Sequence, residues 1–277
     1  MSSTSRPGEE NPTGGRPGGG RLLVDEPAAG VARLTISNPD RRGALDQAIL
    51  DGFARTMPQL DSRCVIVTGE ARIFSAGYDI GELPDSVFAD EAEKLVANPF
   101  AAAIDALEAY PFPTLAVLNG HAIGGGLELA LACDLRIAAT KIKLGMPPAK
   151  LGLVYSHTGI RKFIDAIGAP RTRQLFLVGS NIDAATACAW GLVNRLAEPE
   201  QLADTALQLA VEIAGNAPLA QVGNKRVIAA VLEARAKLDP GLENSLIELR
   251  RDCFASEDFK EGVRAFAEKR TPNWSGH

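Results

Sequence analysis

Residues 119–134 read NGHAIGGGLELALACD, and the order of residue types in this run dictates an architecture. The apolar pattern Thr114-Leu115-Ala116-Val117-Leu118 reads as a strand that ends at the turn pair Asn119-Gly120. Three glycines, Gly124, Gly125 and Gly126, then open a helix over 124–132, and a second strand pattern follows over 134–139. Strands separated by helices pair mostly in parallel, with the helices covering the sheets, so the predicted class is α/β.

The same alternation extends on both sides. Toward the N-terminus, 22–24 and 31–36 read as a hairpin, Asp46 opens a helix ending near Leu60, and 64–68 is an apolar strand. After the loop at 74–90, a helical pattern runs to Tyr110. Beyond about residue 157 the chain reads as almost wholly helical, with breaks at Gly168-Ala169-Pro170, Gly179-Ser180-Asn181, Ala217-Pro218 and Asp239-Pro240-Gly241 and one short strand at 193–196. Leu242, Leu246, Leu249 and Cys253 make an apolar stripe that a second lobe or a neighbouring subunit has to cover. Residues 1–20, rich in Gly and Pro without large apolar side chains, cannot repay their ordering entropy and read as a disordered tail.

The 277 residues carry 29 basic against 34 acidic side chains, which argues against nucleic-acid binding, a task for clustered Lys and Arg. No run of 18 apolar residues and no apolar leader core is present, so neither membrane insertion nor secretion is expected and the cytoplasm is the expected location. The cysteines at 64, 133, 188 and 253 show no CxxC or Cys/His pattern and read as reduced core thiols, and no metal constellation appears. GHAIGGG lacks the G-x-G-x-x-G spacing of a dinucleotide site.

Gly125 at a helix start lets a backbone N–H approach a ligand where the helix dipole favours negative charge. A second donor from the turn Ala76-Gly77-Tyr78-Asp79 would complete an oxyanion hole for a thioester enolate. Glu128 stands one turn after Gly125 among apolar residues, where burial raises a carboxyl pKa; alone, it reads equally as a structural ion-pair partner or a working acid. Tyr155 reads either as a core tyrosine bonded to a backbone carbonyl or as a hydroxyl that orients a substrate. His157 reads as a helix-start or solvent-facing residue, and His121 is ambiguous.

The segments NPDRRGALD (38–46), FSAGYDIGEL (74–83), NGHAIGGGLELALACD (119–134) and AWGLVNRL (189–196) resemble the crotonase, or enoyl-CoA hydratase/isomerase, superfamily over most of the chain. The resemblance implies a crotonase-like (ββα) superhelix core over 21–200, a C-terminal helical trimerisation region over 201–277, homotrimers or dimers of trimers, and acyl-CoA substrates. CoA enters as part of the substrate, with no separate cofactor. It implies Tyr78 and Gly125 as oxyanion donors, Glu128 as the first glutamate, and substrate or CoA contacts from Ala76, Gly77, Tyr78, Asp79, Ile80, Gly125, Pro147 and Lys269. Family hydratases carry a second glutamate where this chain has Pro148.

Within the superfamily the chain is most similar to malonyl-type (methylmalonyl-CoA-like) decarboxylases, through FSAGYDIGELP, the 148–155 segment and the C-terminal 249–277. Those enzymes lack the second glutamate and use a tyrosine matching Tyr155, while this chain departs from them at Tyr78, Pro147 and Ser156. The implied function is an acyl-CoA lyase that decarboxylates a malonyl-type thioester. The alternatives are an enoyl-CoA hydratase/isomerase acting through Glu128, or a catalytically silent CoA-binding scaffold.

Overall fold

Local signals place most elements. The computed structural model describes residues 19–78, 98–235 and 238–277, so the expected disordered tail lies outside the described residues except for its last two. Strands β1 (Arg21–Ala28) and β2 (Val31–Ser37) form the antiparallel hairpin, with Leu22 opposite Ile36 and Val24 opposite Leu34, and Gly30 turns it at φ +72°. Helix α1 (Gln47–Thr56) starts at Asp46, whose carboxylate accepts the N–H groups of Ile49 (3.0 Å) and of Gly20 (2.6 Å). After β3 (Cys64–Gly69) and β4 (Ile73–Ser75), α2 (Asn98–Ala109) buries Phe100, Ala103, Ile104 and Leu107, one helical stripe.

Next come β5 (Thr114–Leu118), β6 (His121–Ile123), α3 (Gly125–Ala132), β7 (Leu135–Ala139) and β8 (Lys143–Gly145). A short 3-10 turn, Pro148–Leu151, leads to α4 (His157–Arg173), capped by Ser156 and kinked at Gly168 (φ +76°) and Pro170. The rest comprises β9 (Ile182–Asp183), α5 (Ala184–Trp190), β10 (Arg195–Ala197), α6 (Leu202–Gly215), α7 (Pro218–Ala234), α8 (Pro240–Ala255) and α9 (Glu257–Ala267).

The strands sort into two sheets, β1-β2-β3-β5-β7-β10 and β4-β6-β8-β9. Consecutive strand pairs β3/β4, β5/β6 and β7/β8 each give one strand to each sheet, so the chain winds as a coil whose turns pair in parallel. At two corners of the coil the backbone comes so close that only glycine fits. A Cβ on Gly69 would lie 1.9 Å from the Ile73 carbonyl oxygen, and one on Gly120 2.1 Å from that of Arg72. Asn119 ties these corners together: its Nδ2 donates to the carbonyls of Gly69 (2.7 Å) and Ala71 (2.9 Å).

Element ends differ from the sequence pattern by one or two residues, as fraying ends do: the helix expected from 124 begins at Gly125 and the strand expected at 193–196 lies at Arg195–Ala197. Helix α6 buries Leu202, Ala206, Ala210 and Ile213 in the main core. Helix α7 buries none of its residues, and Leu219, Val227, Ile228 and Val231 stand exposed. The stripe expected on α8 is only partly covered: Leu242 and Leu249 are exposed, while Phe254, unremarked in the sequence, packs edge-on against Phe259 of α9. No helix among the described residues is long and apolar enough to cross a membrane.

Candidate active site

The coil brings the end of β4 against the start of α3. Gly126 permits this approach, since a Cβ there would lie 2.6 Å from Ser75 Cβ. Gly77, at φ +97°, could carry no side chain: its Cβ would sit 2.9 Å from the Ile123 carbonyl oxygen and 3.3 Å from Gly125 N. The turn is pinned by Ala76 N–H donating to Arg42 O (3.1 Å), Gly77 N–H to Ser75 Oγ (3.1 Å) and Leu45 N–H to Gly77 O (2.8 Å). Gly125, first residue of α3, heads the helix, where N–H groups have no intrahelical acceptor. Gly124 N–H is used structurally, donating to Gly145 O at 2.9 Å.

Helix α3 is buried nearly all round, and Glu128 is 4 % exposed. Its Oε2 accepts a short hydrogen bond from the Tyr155 hydroxyl. Desolvation raises the Glu128 pKa, opposed by that bond and by the charges of Lys162 and Arg250. Lys162 is itself paired with Glu108. Tyr155 is held edge-on to Phe176 at 5.6 Å, and burial beside Glu128 keeps its phenol protonated well above the usual tyrosine range. Gly159, in the first turn of α4, makes room for the pair: a Cβ there would lie 2.7 Å from both Glu128 Oε1 and Tyr155 Cε1.

Tyr78 contributes more than backbone. Its ring lies over Gly125, 3.0 Å from where a Cβ would stand, and meets Phe100 edge-on at 4.8 Å. Burial raises its pKa, as does the Glu128 charge, and the Tyr155 hydroxyl acts in the opposite sense. Tyr78, Gly125, Glu128 and Tyr155 thus meet around the start of α3, although they come from three segments of the chain.

The other sequence-predicted residues are placed differently. Ala76 is exposed in the pinned turn, Pro147 is half-buried immediately before the buried Pro148, and Asp79 and Ile80 lie outside the described residues. Lys269 is exposed just beyond α9 with left-handed backbone, φ +54°. His121 Nδ1 accepts the Lys143 N–H (2.9 Å), and His157 Nε2 lies 3.3 Å from Glu243 of α8, so neither is brought to Glu128. Phe100, Gly159 and Arg250 were not singled out from sequence. A glycine within the first turn of a helix was the one available signal, and it pointed to Gly159.

A family model described as enoyl-CoA hydratase/isomerase matches residues 26–277. A probable enoyl-CoA hydratase of Bacillus subtilis is 36% identical over 255 residues, covering 89% of this chain and 95% of that protein. A methylmalonyl-CoA decarboxylase of Escherichia coli is 31% identical over 256 residues, with 89% and 95% covered. Among solved structures, a methylmalonyl-CoA decarboxylase in complex with 2-nitronate-propionyl-CoA superposes with a TM-score of 0.84 at 29% identity, covering 93% of this chain and 99% of that one.

Proposed function

This chain belongs to the enoyl-CoA hydratase/isomerase family, with the crotonase fold, and from that premise we propose that it is an acyl-CoA lyase that decarboxylates a malonyl-type thioester. The observation that carries this reading is the pairing of Glu128 with a phenol, Tyr155, while Pro148 stands where a hydratase of this family has its second glutamate. Hydration needs one group to activate water and another to deliver a proton. Proline can do neither. Decarboxylation asks for a carboxylate held with its C–C bond perpendicular to the thioester plane and for donors at the oxygen that gains charge.

With Glu128 protonated, its O–H donates to the phenol oxygen, which frees the Tyr155 O–H to orient the substrate carboxylate, and the C–C bond breaks to release CO2. Its electron pair passes through the enolate to the thioester oxygen, which the N–H groups of Tyr78 and Gly125 receive. Glu128, whose burial favours the protonated carboxyl, returns a proton to the carbon, and water restores it. Ala76, Gly77, Asp79, Ile80 and Pro147 are assigned to the acyl and pantetheine path and Lys269 to the CoA phosphates. No cofactor besides CoA itself is required. Trimers, or pairs of trimers, are part of the reading, with α7 as the face to be covered.

The second reading is an enoyl-CoA isomerase, favoured by the single raised carboxyl of Glu128, one group able to move a proton between two carbons. Purified protein is given methylmalonyl-CoA or crotonyl-CoA and the products resolved by mass. Propionyl-CoA without hydroxybutyryl-CoA is the expected result. Rapid hydration of crotonyl-CoA with methylmalonyl-CoA untouched would overturn the lyase reading.

A further inference from the structure

Helix α8 lies across the segment that delivers Tyr155. Glu243 meets His157 at 3.3 Å, while the Cys253 thiol donates to Gly152 O (2.9 Å) and its sulfur accepts the Val154 N–H (3.1 Å). Positions 243, 250 and 253 fall on one face of the helix, spaced by about whole turns, so Arg250 shares the face that packs on the segment 152–157. Its guanidinium carbon stands 5.2 Å from the centroid of Phe254, and its Nε is buried with no hydrogen-bond partner among the described residues.

A buried guanidinium N–H without an acceptor is costly and rare. It becomes favourable when a ligand brings the missing oxygen. Lys162, whose charge acts on Glu128, is engaged with Glu108. The charge of Arg250 also acts to lower the pKa values of Glu128 and Tyr78.

We infer that Arg250 is a specificity residue that selects acyl groups bearing a carboxylate, its Nε–H donating to one carboxylate oxygen while Tyr155 holds the other. The inference rests on the proposed lyase reading for the position of that carboxylate. The contact exists before the C–C bond breaks and disappears as CO2 leaves. It therefore strengthens binding rather than the chemical step, and its loss belongs in KM, not kcat.

The test compares wild type with Arg250→Met, which keeps the stem over Phe254, and Arg250→Lys, which keeps the charge without the fork. Calorimetry measures binding of 2-carboxypropyl-CoA, which has the carboxylate but no thioester carbonyl, and of propyl-CoA, which has neither. Wild type should prefer the carboxylated ligand, and Arg250→Met should weaken it ~10- to 100-fold while leaving propyl-CoA unchanged, with Arg250→Lys in between. For methylmalonyl-CoA turnover, the Met variant should raise KM and leave kcat equal or higher. Equal weakening of both ligands, a fall in kcat at constant KM, or a wild type indifferent to the carboxylate would each overturn the inference. If wild type binds 2-carboxypropyl-CoA selectively but releases no CO2 from methylmalonyl-CoA, the lyase reading fails and the Arg250 assignment stands.

Discussion

Two side chains carry the sharpest consequences. Tyr155→Phe removes the hydroxyl that sets the breaking C–C bond perpendicular to the thioester plane, so decarboxylation should fall about 10²-fold in kcat, as misplacement of a reacting group does, while propionyl-CoA affinity holds. A steady-state assay checks this, and unchanged kcat would shift the chemistry to Glu128 alone. Glu128 in turn sets a pH signature. Its folded pKa is raised above the ordinary 4.5, so its contribution to stability is complete below that value and is lost as pH climbs through the window to the raised one. Glu128→Gln keeps an acceptor for the Tyr155 hydroxyl and abolishes the titration. Melting temperature against pH should therefore decline less above about 4.5 in the variant than in wild type, with the variant melting higher at pH 8. Parallel curves would mean that Glu128 is not protonated preferentially in the fold.

At the scale of elements, the packing of α3 on β4 depends on a missing side chain. Gly126→Ala places a Cβ 2.6 Å from Ser75 Cβ and 2.7 Å from Ser75 O, where neither strand nor buried helix can yield easily. Denaturant unfolding should show a loss of about 1–3 kcal/mol, as overpacked cores do, and an undiminished midpoint would show that the strand moves freely. Much of this layer was legible in the sequence. The glycine run announced the head of α3, Asp46 the start of α1, and the alternation of 22–24 and 31–36 the first hairpin, because caps, glycines and period-two patterns are local signals. The meeting of Glu128 with Tyr155 could be reached only through the family resemblance. The ring of Tyr78 over Gly125 and the Nε of Arg250 left no trace, since each depends on where distant turns of the coil place a side chain. Of the apolar stripe expected on α8, Cys253 packs on the segment before Tyr155, while Leu242 and Leu249 are exposed in the single chain.

For the molecule as a whole, α7 is the surface in need of explanation. Leu219 is 87% and Ile228 61% exposed on a helix with no buried residue, a costly arrangement for a lone chain and an ordinary one for an assembly. Light scattering after gel filtration should find a trimer or a hexamer, and Ile228→Glu together with Val231→Glu should shift it to monomers. A monomeric wild type would remove α7 as an interface. The winding of the two sheets has one more consequence. In both of them strand order follows chain order, so each new strand docks on an edge left by those already made and none has to slip between earlier neighbours. A nascent chain leaving the ribosome could lay down this fold turn by turn, in the direction of its own synthesis.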